Sequence, residues 1–336
     1  MIKKTLYLCF GVVSAAVLSL NACSSSTEFE SAQQDLSEIT ASSSNQSEQS
    51  FNQDLLSVWE TDLADSSRFT LDFSLSEAEK KLAKKFARTI TASLKRNEIF
   101  VHYLLTSLKE ADLPLELAAI PLLESGLNTR SKNGSAHGAW QYARSTAKAL
   151  GLHKTKNYDA LYDFMASTNA GIVYLKKLYS RFGNWEIVAA AYNAGEYGVN
   201  KAYQRALKSG IKEPQAKDIS ISRATRAYIM KFKAYSDVLK NPSLYGVKLP
   251  SIKNRPAFKR IDATGLSSLS EVAQISGAEL EVLKKLNSGY DGDRIDPHRA
   301  IYLPLENADV LEKAKIQKED VASNSKVLTD PLVLAK

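Results

Sequence analysis

The chain has few of the residues that build disulfides or metal centres. Its 336 residues include two cysteines. Cys9 lies in an N-terminal apolar segment with the features of a removable signal, so at most Cys23 would remain and no internal disulfide could form. The four histidines show no pair at metal-ligand spacing: His102, His137, His153 and His298. We therefore expect no disulfide, no metal and no cofactor.

Several other chemical signatures are also missing from the sequence. It has no phosphate-cradling glycine loop and no Ser-His-Asp arrangement with local support. No basic run is interleaved with stacking aromatic residues, so nucleic acid is not an expected partner. Asp291, Asp293 and Asp296 lack the glycine and the terminal glutamate of an EF-hand loop, and a solvated turn is expected there.

Long apolar runs are confined to the N-terminus. Lys3 and Lys4 precede an apolar run from Leu6 to Leu20, which is short for a membrane span but suits a signal segment. Leu20-Asn21-Ala22-Cys23 resembles a bacterial lipobox. We expect residues 1–22 to be removed and Cys23 to carry a lipid that holds the protein in the cell envelope, on the periplasmic face of the outer membrane. The alternative is an ordinary secretory signal with an incidental thiol.

The segment that follows has an unusual composition. Residues 24–53 contain ten serines and five acidic residues but no Lys or Arg, so residues 23–53 are expected to form a disordered tether. The rest of the chain then holds 42 Lys and Arg against 32 Asp and Glu, a net charge of about +10. This excess favours an acidic polymer as partner, and for an exported protein peptidoglycan fits better than nucleic acid.

The apolar residues from Ser74 to Leu239 recur at spacings of three and four, which predicts a series of helices. Pro114 can open one helix whose following residues are apolar almost all round, so that helix should be buried. Ser167 or Thr168 can cap another helix, which stops at Gly183. A third helix is predicted from Trp185 to Gly195.

A second unit is predicted beyond Asn241-Pro242. Pro250 and Pro256 mark a connector, after which apolar residues predict the order strand, helix, helix, strand, with strands near Ile261 and at 301–303. The predicted organisation is a mostly α domain over 54–245, a linker over 246–257, a small α+β (βααβ) module over 258–306 and a tail over 307–336 of unassigned role.

Glu124 is the strongest candidate for acid chemistry. It is the one carboxylate between Leu117 and Tyr158, and it shares a helical face with Leu117 and Ile120. An apolar wall would raise the pKa of its carboxyl, as a proton donor near neutral pH requires. A glutamate near a helix end is more often structural, so the neighbouring motifs have to decide.

Four short motifs follow one another in the chain: Glu124-Ser125, Gly138-Ala139-Trp140-Gln141, Ala191-Tyr192-Asn193-Ala194-Gly195 and Thr225-Arg226-Ala227-Tyr228. Together they resemble the lytic transglycosylases of the goose-lysozyme-like (SLT) superfamily, and among these the membrane-bound murein transglycosylases. The resemblance extends from about Phe73 to Leu305. It departs from the family pattern at Ala143-Arg144, where Met-Pro is usual, and at Ala224, where an acid usually precedes the threonine.

The resemblance implies a lysozyme-like (goose-type/SLT) helical domain and a defined reaction. Glu124 would protonate the glycosidic oxygen between MurNAc and GlcNAc, and then act as a base while the muramyl O6 hydroxyl attacks the anomeric carbon. The product would be a 1,6-anhydro sugar. Five residues would line the substrate groove: Ser125, Gln141, Tyr192, Asn193 and Tyr228. Trp140 would be core or groove wall.

A single carboxylate is consistent with this reaction, because an internal hydroxyl replaces the second carboxylate of most glycosidases. Asp159, Asp163 or Glu196 could still approach Glu124 in space, which keeps a lysozyme-type hydrolase as an alternative. A catalytically silent peptidoglycan-binding scaffold is the other alternative.

The unit from about Phe258 to Leu305 resembles a degenerate LysM domain. It matches at Leu286-Asn287 and at 301–304 but lacks the usual Gly-Asp-Thr opening. For the chain as a whole we expect a monomer that acts on peptidoglycan glycan strands and needs no cofactor.

Overall fold

The computed structural model describes residues 56–61 and 68–328. The predicted signal segment, Cys23 and the serine-rich tether lie outside this part of the chain. Within it, no helix is both long enough and apolar enough to cross a membrane.

Helices dominate the first domain, as the sequence predicts. They are α1 Glu77–Arg96, α2 Glu98–Glu110, α3 Ala119–Ser125, α4 Arg144–Ala149, α5 Phe164–Phe182, α6 Trp185–Ala194, α7 Glu196–Lys208 and α8 Arg223–Lys240, with 3-10 turns at Leu115–Ala118 and Pro242–Tyr245. Helix α1 begins with a capping box, in which Ser76 and Glu79 satisfy each other's backbone amides. Helices α1 and α8 pack along each other, as do α6 and α8, and their apolar faces form the core.

The segment after Pro114 is buried, as its composition predicts. Pro114 precedes the 3-10 turn and α3 continues from it. Leu115, Leu117 and Ile120 are fully buried, and each such side chain contributes roughly 2 kcal/mol through removal from water. Helix α3 ends at Gly126, whose φ of 65° closes the helix in the left-handed region. Glu124 therefore lies in the last turn of a short helix held by the core.

A small antiparallel sheet follows α3 and was not predicted. Its strands are β1 Lys132–Asn133, β2 Ala136–His137 and β3 Tyr142–Ala143, with β2 in the middle. Gly138 lies between β2 and β3 with φ 78°, and a Cβ there would come within 2.3 Å of the Leu161 carbonyl oxygen. Glycine is required at this position for both reasons.

Helix α5 begins earlier than predicted. Asp163 is its N-cap, and its carboxylate accepts a hydrogen bond from the Ala166 amide at 2.8 Å. Ser167 and Thr168 are buried inside the helix, so the prediction that one of them caps it is wrong. The predicted end at Gly183 and the predicted helix α6 are both confirmed.

The second unit has the predicted order: strand β4 Phe258–Ile261, helices α9 Leu269–Ser276 and α10 Leu280–Leu286, and strand β5 Ile301–Pro304. The strands pair antiparallel, with Ile261 opposite Ile301. The Asn287 side chain bonds both the amide and the carbonyl of Tyr302, which fixes the end of α10 to β5. A further helix, α11 Leu305–Leu328, packs on β4 and α9, so residues beyond 306 continue the module's core.

The two units contact each other through a loop at 288–290 of the module. The Asp159 amide donates to the Gly289 carbonyl at 2.7 Å, and the Ser288 hydroxyl donates to the Tyr162 carbonyl at 2.8 Å. A Cβ at Gly289 would lie 2.5 Å from the Tyr158 ring, so the ring packs directly on the glycine backbone and leaves no room for a side chain there. The module is therefore fixed to the helical domain by backbone contacts as well as side chains.

Candidate active site

Glu124 lies half-buried at the end of α3, facing α8. The Tyr228 hydroxyl donates a hydrogen bond to its Oε1 at 2.7 Å. Burial raises the pKa of Glu124 to about 7, while the hydrogen bond from Tyr228 acts in the opposite direction by stabilising the carboxylate. Near neutral pH the carboxyl is therefore present in both protonation states, as a group that donates and then accepts a proton requires.

Three tyrosines lie near this carboxyl: Tyr228 donates to it, and besides burial its charge contributes to the raised pKa of Tyr142 and of Tyr192. The Tyr192 ring lies 6.0 Å from Tyr142 and 5.9 Å from Tyr174, measured between ring centroids. Burial, followed by the nearby Glu124 charge, holds the pKa of Tyr228 well above its ordinary value. The Tyr228 hydroxyl therefore stays neutral and remains a hydrogen-bond donor near neutral pH.

Tyr192 is placed by a hydrogen bond to the backbone. Its hydroxyl donates to the Trp140 carbonyl at 2.6 Å, across from α6 to the turn before β3. Trp140 itself is fully buried, and its indole donates to the Thr168 hydroxyl at 3.0 Å. Trp140 is therefore core, the first of the two roles considered from the sequence.

Ser125 connects the end of α3 to the turn between β2 and β3. Its hydroxyl donates to the Ala139 carbonyl at 2.7 Å and accepts from the Asn128 amide at 3.0 Å. These bonds fix the position of the neighbouring Glu124 relative to the sheet. The geometry therefore gives Ser125 a positioning role beside its predicted role in the groove.

Gln141 is held in an uncommon backbone conformation. Its φ is 50°, which a residue with a side chain adopts only where its surroundings compensate for the strain. The side-chain nitrogen Nε2 of Gln141 donates to the carbonyls of Gly138 at 2.7 Å and Ser131 at 3.3 Å. The side chain therefore closes the turn between β2 and β3.

Asn193 differs from the other predicted groove residues. It is exposed in the last turn of α6, and within residues 56–61 and 68–317 its side chain makes no hydrogen bond. Of the five predicted residues, Tyr228 contacts Glu124 directly, Ser125 and Tyr192 hold the adjoining backbone, Gln141 shapes the turn, and Asn193 remains available to a ligand.

The three carboxylates that could have approached Glu124 are engaged elsewhere. Asp159 pairs with Arg144. Asp163 accepts from the Tyr158 hydroxyl at 2.6 Å, besides capping α5. Glu196 pairs with two cations of α5, Lys177 at 2.9 Å and Arg181 at 3.0 Å.

Sequence reasoning missed a second carboxyl with a raised pKa. Glu116 is fully buried in the 3-10 turn before α3, and burial raises its pKa to about 7. Its Oε1 accepts from the Leu71 amide at 2.8 Å, and its Oε2 has no hydrogen-bond partner among the described residues. The apolar neighbours Leu115 and Leu117 were the available signal, since they imply burial of the residue between them.

No group of three or more His, Cys, Asp or Glu side chains is arranged to hold a metal ion in the part of the chain that the structure describes.

Two family models match the chain. Residues 106–214 match the transglycosylase SLT domain, and residues 257–319 match the LysM-like domain of lytic transglycosylase MltD. The first match includes the first three of the four motifs. The second extends past the predicted end of the module into α11. The resemblance to lytic transglycosylases is thus confirmed.

Individual relatives agree with the family models. The chain is 32% identical over 239 residues to membrane-bound lytic murein transglycosylase D of Escherichia coli K12, covering 70% of this chain and 53% of that protein. It therefore spans about half the length of that relative. It is 29% identical over 168 residues to a putative tributyltin chloride resistance protein of Alteromonas sp. strain M-1, covering 48% of this chain and 77% of that one.

Among solved structures, an inactive mutant of lytic transglycosylase Slt from Pseudomonas aeruginosa matches with 22% sequence identity and a TM-score of 0.33. The match covers 45% of this chain and 25% of that one.

Proposed function

We propose that this chain, which carries a transglycosylase SLT domain followed by a LysM-like domain, is a peptidoglycan lytic transglycosylase with Glu124 as its single general acid and base. The observation that supports this most directly is the half-buried Glu124 carboxyl, with a pKa raised to about 7 and a neutral tyrosine bonded to Oε1. Oε1 is thus occupied, and Oε2 is the atom that would face the substrate.

In the first step, protonated Glu124 donates its proton to the glycosidic oxygen that joins MurNAc to GlcNAc. The bond between that oxygen and the muramyl anomeric carbon breaks, and positive charge develops on the sugar. The resulting carboxylate is stabilised by the hydrogen bond from Tyr228. Cleavage therefore leaves Glu124 as a base beside the reactive carbon.

In the second step, Glu124 accepts the proton of the muramyl O6 hydroxyl as that oxygen bonds to the anomeric carbon. One C–O bond has broken and one has formed, the carboxyl has regained its proton, and no water is consumed. The attacking hydroxyl belongs to the same sugar, so its effective concentration is high without a second carboxylate to activate it. The engagement of Asp159, Asp163 and Glu196 with other partners supports this one-carboxyl scheme.

The rest of the predicted assembly fits an enzyme of the cell envelope. The similar protein from Escherichia coli is named as membrane-bound. For this chain, we propose removal of residues 1–22, a lipid on Cys23, a position at the periplasmic face of the outer membrane, and action as a monomer on peptidoglycan glycan strands. The LysM-like module would add glycan contacts beside the catalytic domain.

The proposal is tested with purified peptidoglycan sacculi. The mature chain, made soluble by Cys23→Ser, is compared with Glu124→Gln and with Glu116→Gln as the matched control. Soluble muropeptides should appear with the parent chain and with Glu116→Gln, but not with Glu124→Gln. If the parent chain bound sacculi but released no muropeptides, a catalytically silent scaffold would be favoured instead.

A further inference from the structure

A cationic cavity of about 290 Å³ lies between the small sheet and the module. Five basic side chains line it: Arg130, Lys132, Arg144, Lys154 and Lys156. Two acidic residues, Asp159 and Asp291, also contribute to the lining. The cavity is therefore strongly biased towards an anionic ligand, and the scheme for Glu124 does not use any of these residues.

The two carboxylates leave most of this charge unpaired. Asp159 is buried and forms an ion pair with Arg144. Arg130 donates to the Tyr290 carbonyl, which is neutral. Within residues 56–61 and 68–317, no ion pair involves Lys132, Lys154 or Lys156. The positive field also reaches His137, whose pKa is lowered by burial and then by Arg144 and Lys132.

The walls of the cavity are fixed by contacts between the two units. The Asp291 amide donates to the Asn157 carbonyl at 3.0 Å, and the Asp159 amide donates to Gly289 at 2.7 Å. The guanidinium groups of Arg130 and Arg144 lie 5.5 and 5.7 Å from the centre of the Tyr162 ring. This preorganisation lowers the entropic cost of binding a ligand.

The cavity is also close to Glu124 along the chain. Arg130 is six residues after Glu124, and six residues span at most about 20 Å. Arg144 directly follows β3, whose preceding turn is closed by Gln141 through the Ser131 carbonyl. A peptide of four or five residues can extend about 15 Å, a length comparable to the limit on the separation between Glu124 and Arg130.

We propose that this cavity binds the carboxylates of the peptide stems that peptidoglycan carries on its muramyl sugars. The inference rests on the proposed function and specifies the substrate further, as stem-bearing rather than stripped glycan. Guanidinium groups bind carboxylates in a bidentate manner, and lysines add charge.

The kinetic test compares stem-bearing glycan strands with strands whose stems have been removed by an amidase. The triple variant Lys132→Gln, Lys154→Gln, Lys156→Gln removes three exposed charges that contact no buried carboxylate. The triple variant Lys148→Gln, Lys176→Gln, Lys208→Gln, also exposed, has the same net charge and is the control. We expect the first to lower kcat/KM on stem-bearing strands about 10-fold and on stripped strands less than about 2-fold, and the control to change neither.

An equal loss on both substrates, or a loss on neither, would overturn the proposal. Arg144→Ala combined with Asp159→Asn is the second variant, since it leaves no buried carboxylate unpaired. It should show the same selective loss, with a melting temperature measured alongside to establish that it is folded.

A binding measurement tests, independently of turnover, whether the cavity binds stem carboxylates. Glu124→Gln protein is titrated calorimetrically with a disaccharide tetrapeptide, and with the same compound after its stem carboxylates are amidated. Amidation should weaken binding about 10-fold or more in the parent cavity, and the difference should vanish in the lysine triple variant. Equal affinity for both compounds would contradict the proposal, whereas an absence of cleavage by the parent chain would contradict the proposed function only.

Discussion

Two glutamates eight residues apart share a raised pKa but differ in exposure and in hydrogen-bond partner. Burial raises the pKa of both Glu116 and Glu124 to about 7. Glu116 is fully enclosed and bonded to the Leu71 backbone. Glu124 is partly open and bonded to the Tyr228 side chain.

The comparison shows that a raised pKa does not by itself identify a catalytic acid. Desolvation is the cause in both cases, yet Glu116 is fully enclosed, whereas Glu124 is partly exposed. Glu116 connects the segment around Leu71 to the 3-10 turn before α3, which is a structural task. Access and partner, together with the pKa, distinguish the two roles.

The largest difference between the two glutamates should appear in turnover. Glu124→Gln keeps the size of the side chain but removes the ionisable carboxyl proton. We expect kcat/KM on sacculi to fall about 10³-fold. Glu116→Gln should stay within about 3-fold of the parent chain. Chromatography of released muropeptides measures both. Comparable losses in the two variants would show that the site has been assigned to the wrong carboxyl or that both act structurally.

The next effect is on stability and follows from the raised pKa of Glu116. An unfolded glutamate has an ordinary pKa of 4.5, so the folded state favours protonated Glu116. Its contribution to stability is complete below about pH 4.5 and is lost as pH rises through 7, a loss on the order of 3 kcal/mol. Glu116→Gln should lack this loss, so that its free energy of unfolding falls less than that of the parent chain between pH 4.5 and 8.

Urea unfolding at the two pH values measures this difference. A conservative variant on the surface, Glu281→Gln, serves as the control because Glu281 is exposed. If the parent chain and Glu116→Gln lost the same stability across this range, Glu116 would not be the buried acid described above.

The smallest effect concerns the partner of Glu124. Tyr228→Phe removes the hydrogen bond that lowers the pKa of Glu124, so that pKa should rise further. Because the acid must be protonated to act, the alkaline limb of kcat/KM should move upward by up to about one pH unit. Activity at pH 6 should fall about 10-fold, since the carboxylate formed in the reaction loses a donor. An unchanged limb would separate Tyr228 from the acid.

Local patterns in the sequence located the catalytic candidate and the helices around it. Glu124 is the one carboxylate between Leu117 and Tyr158, and it forms the first motif with Ser125. Gly183 and Gly195 end helices as predicted. Asp163 capped α5 in place of Ser167 or Thr168 because it lies one turn earlier, where it could take the same role. Periodicity indicates that a helix exists more reliably than where it starts.

Other features depend on contacts that no local pattern contains. The strands β1 to β3 have two residues each, too short for alternation to be visible. The cationic cavity joins Arg130 to a loop 160 residues later in the chain, and its charges look like ordinary solvated residues in the sequence. Only the packing of the module on the helical domain brings them together.

The central claim is that Glu124 activates the muramyl O6 hydroxyl of the substrate rather than water. Its most direct test is to digest sacculi in water labelled with oxygen-18 and to determine the masses of the muropeptides by mass spectrometry. The account predicts anhydromuramyl ends without the label, produced by the parent chain and absent with Glu124→Gln. Labelled reducing ends would contradict it and would make the protein a lysozyme-type hydrolase on the same fold.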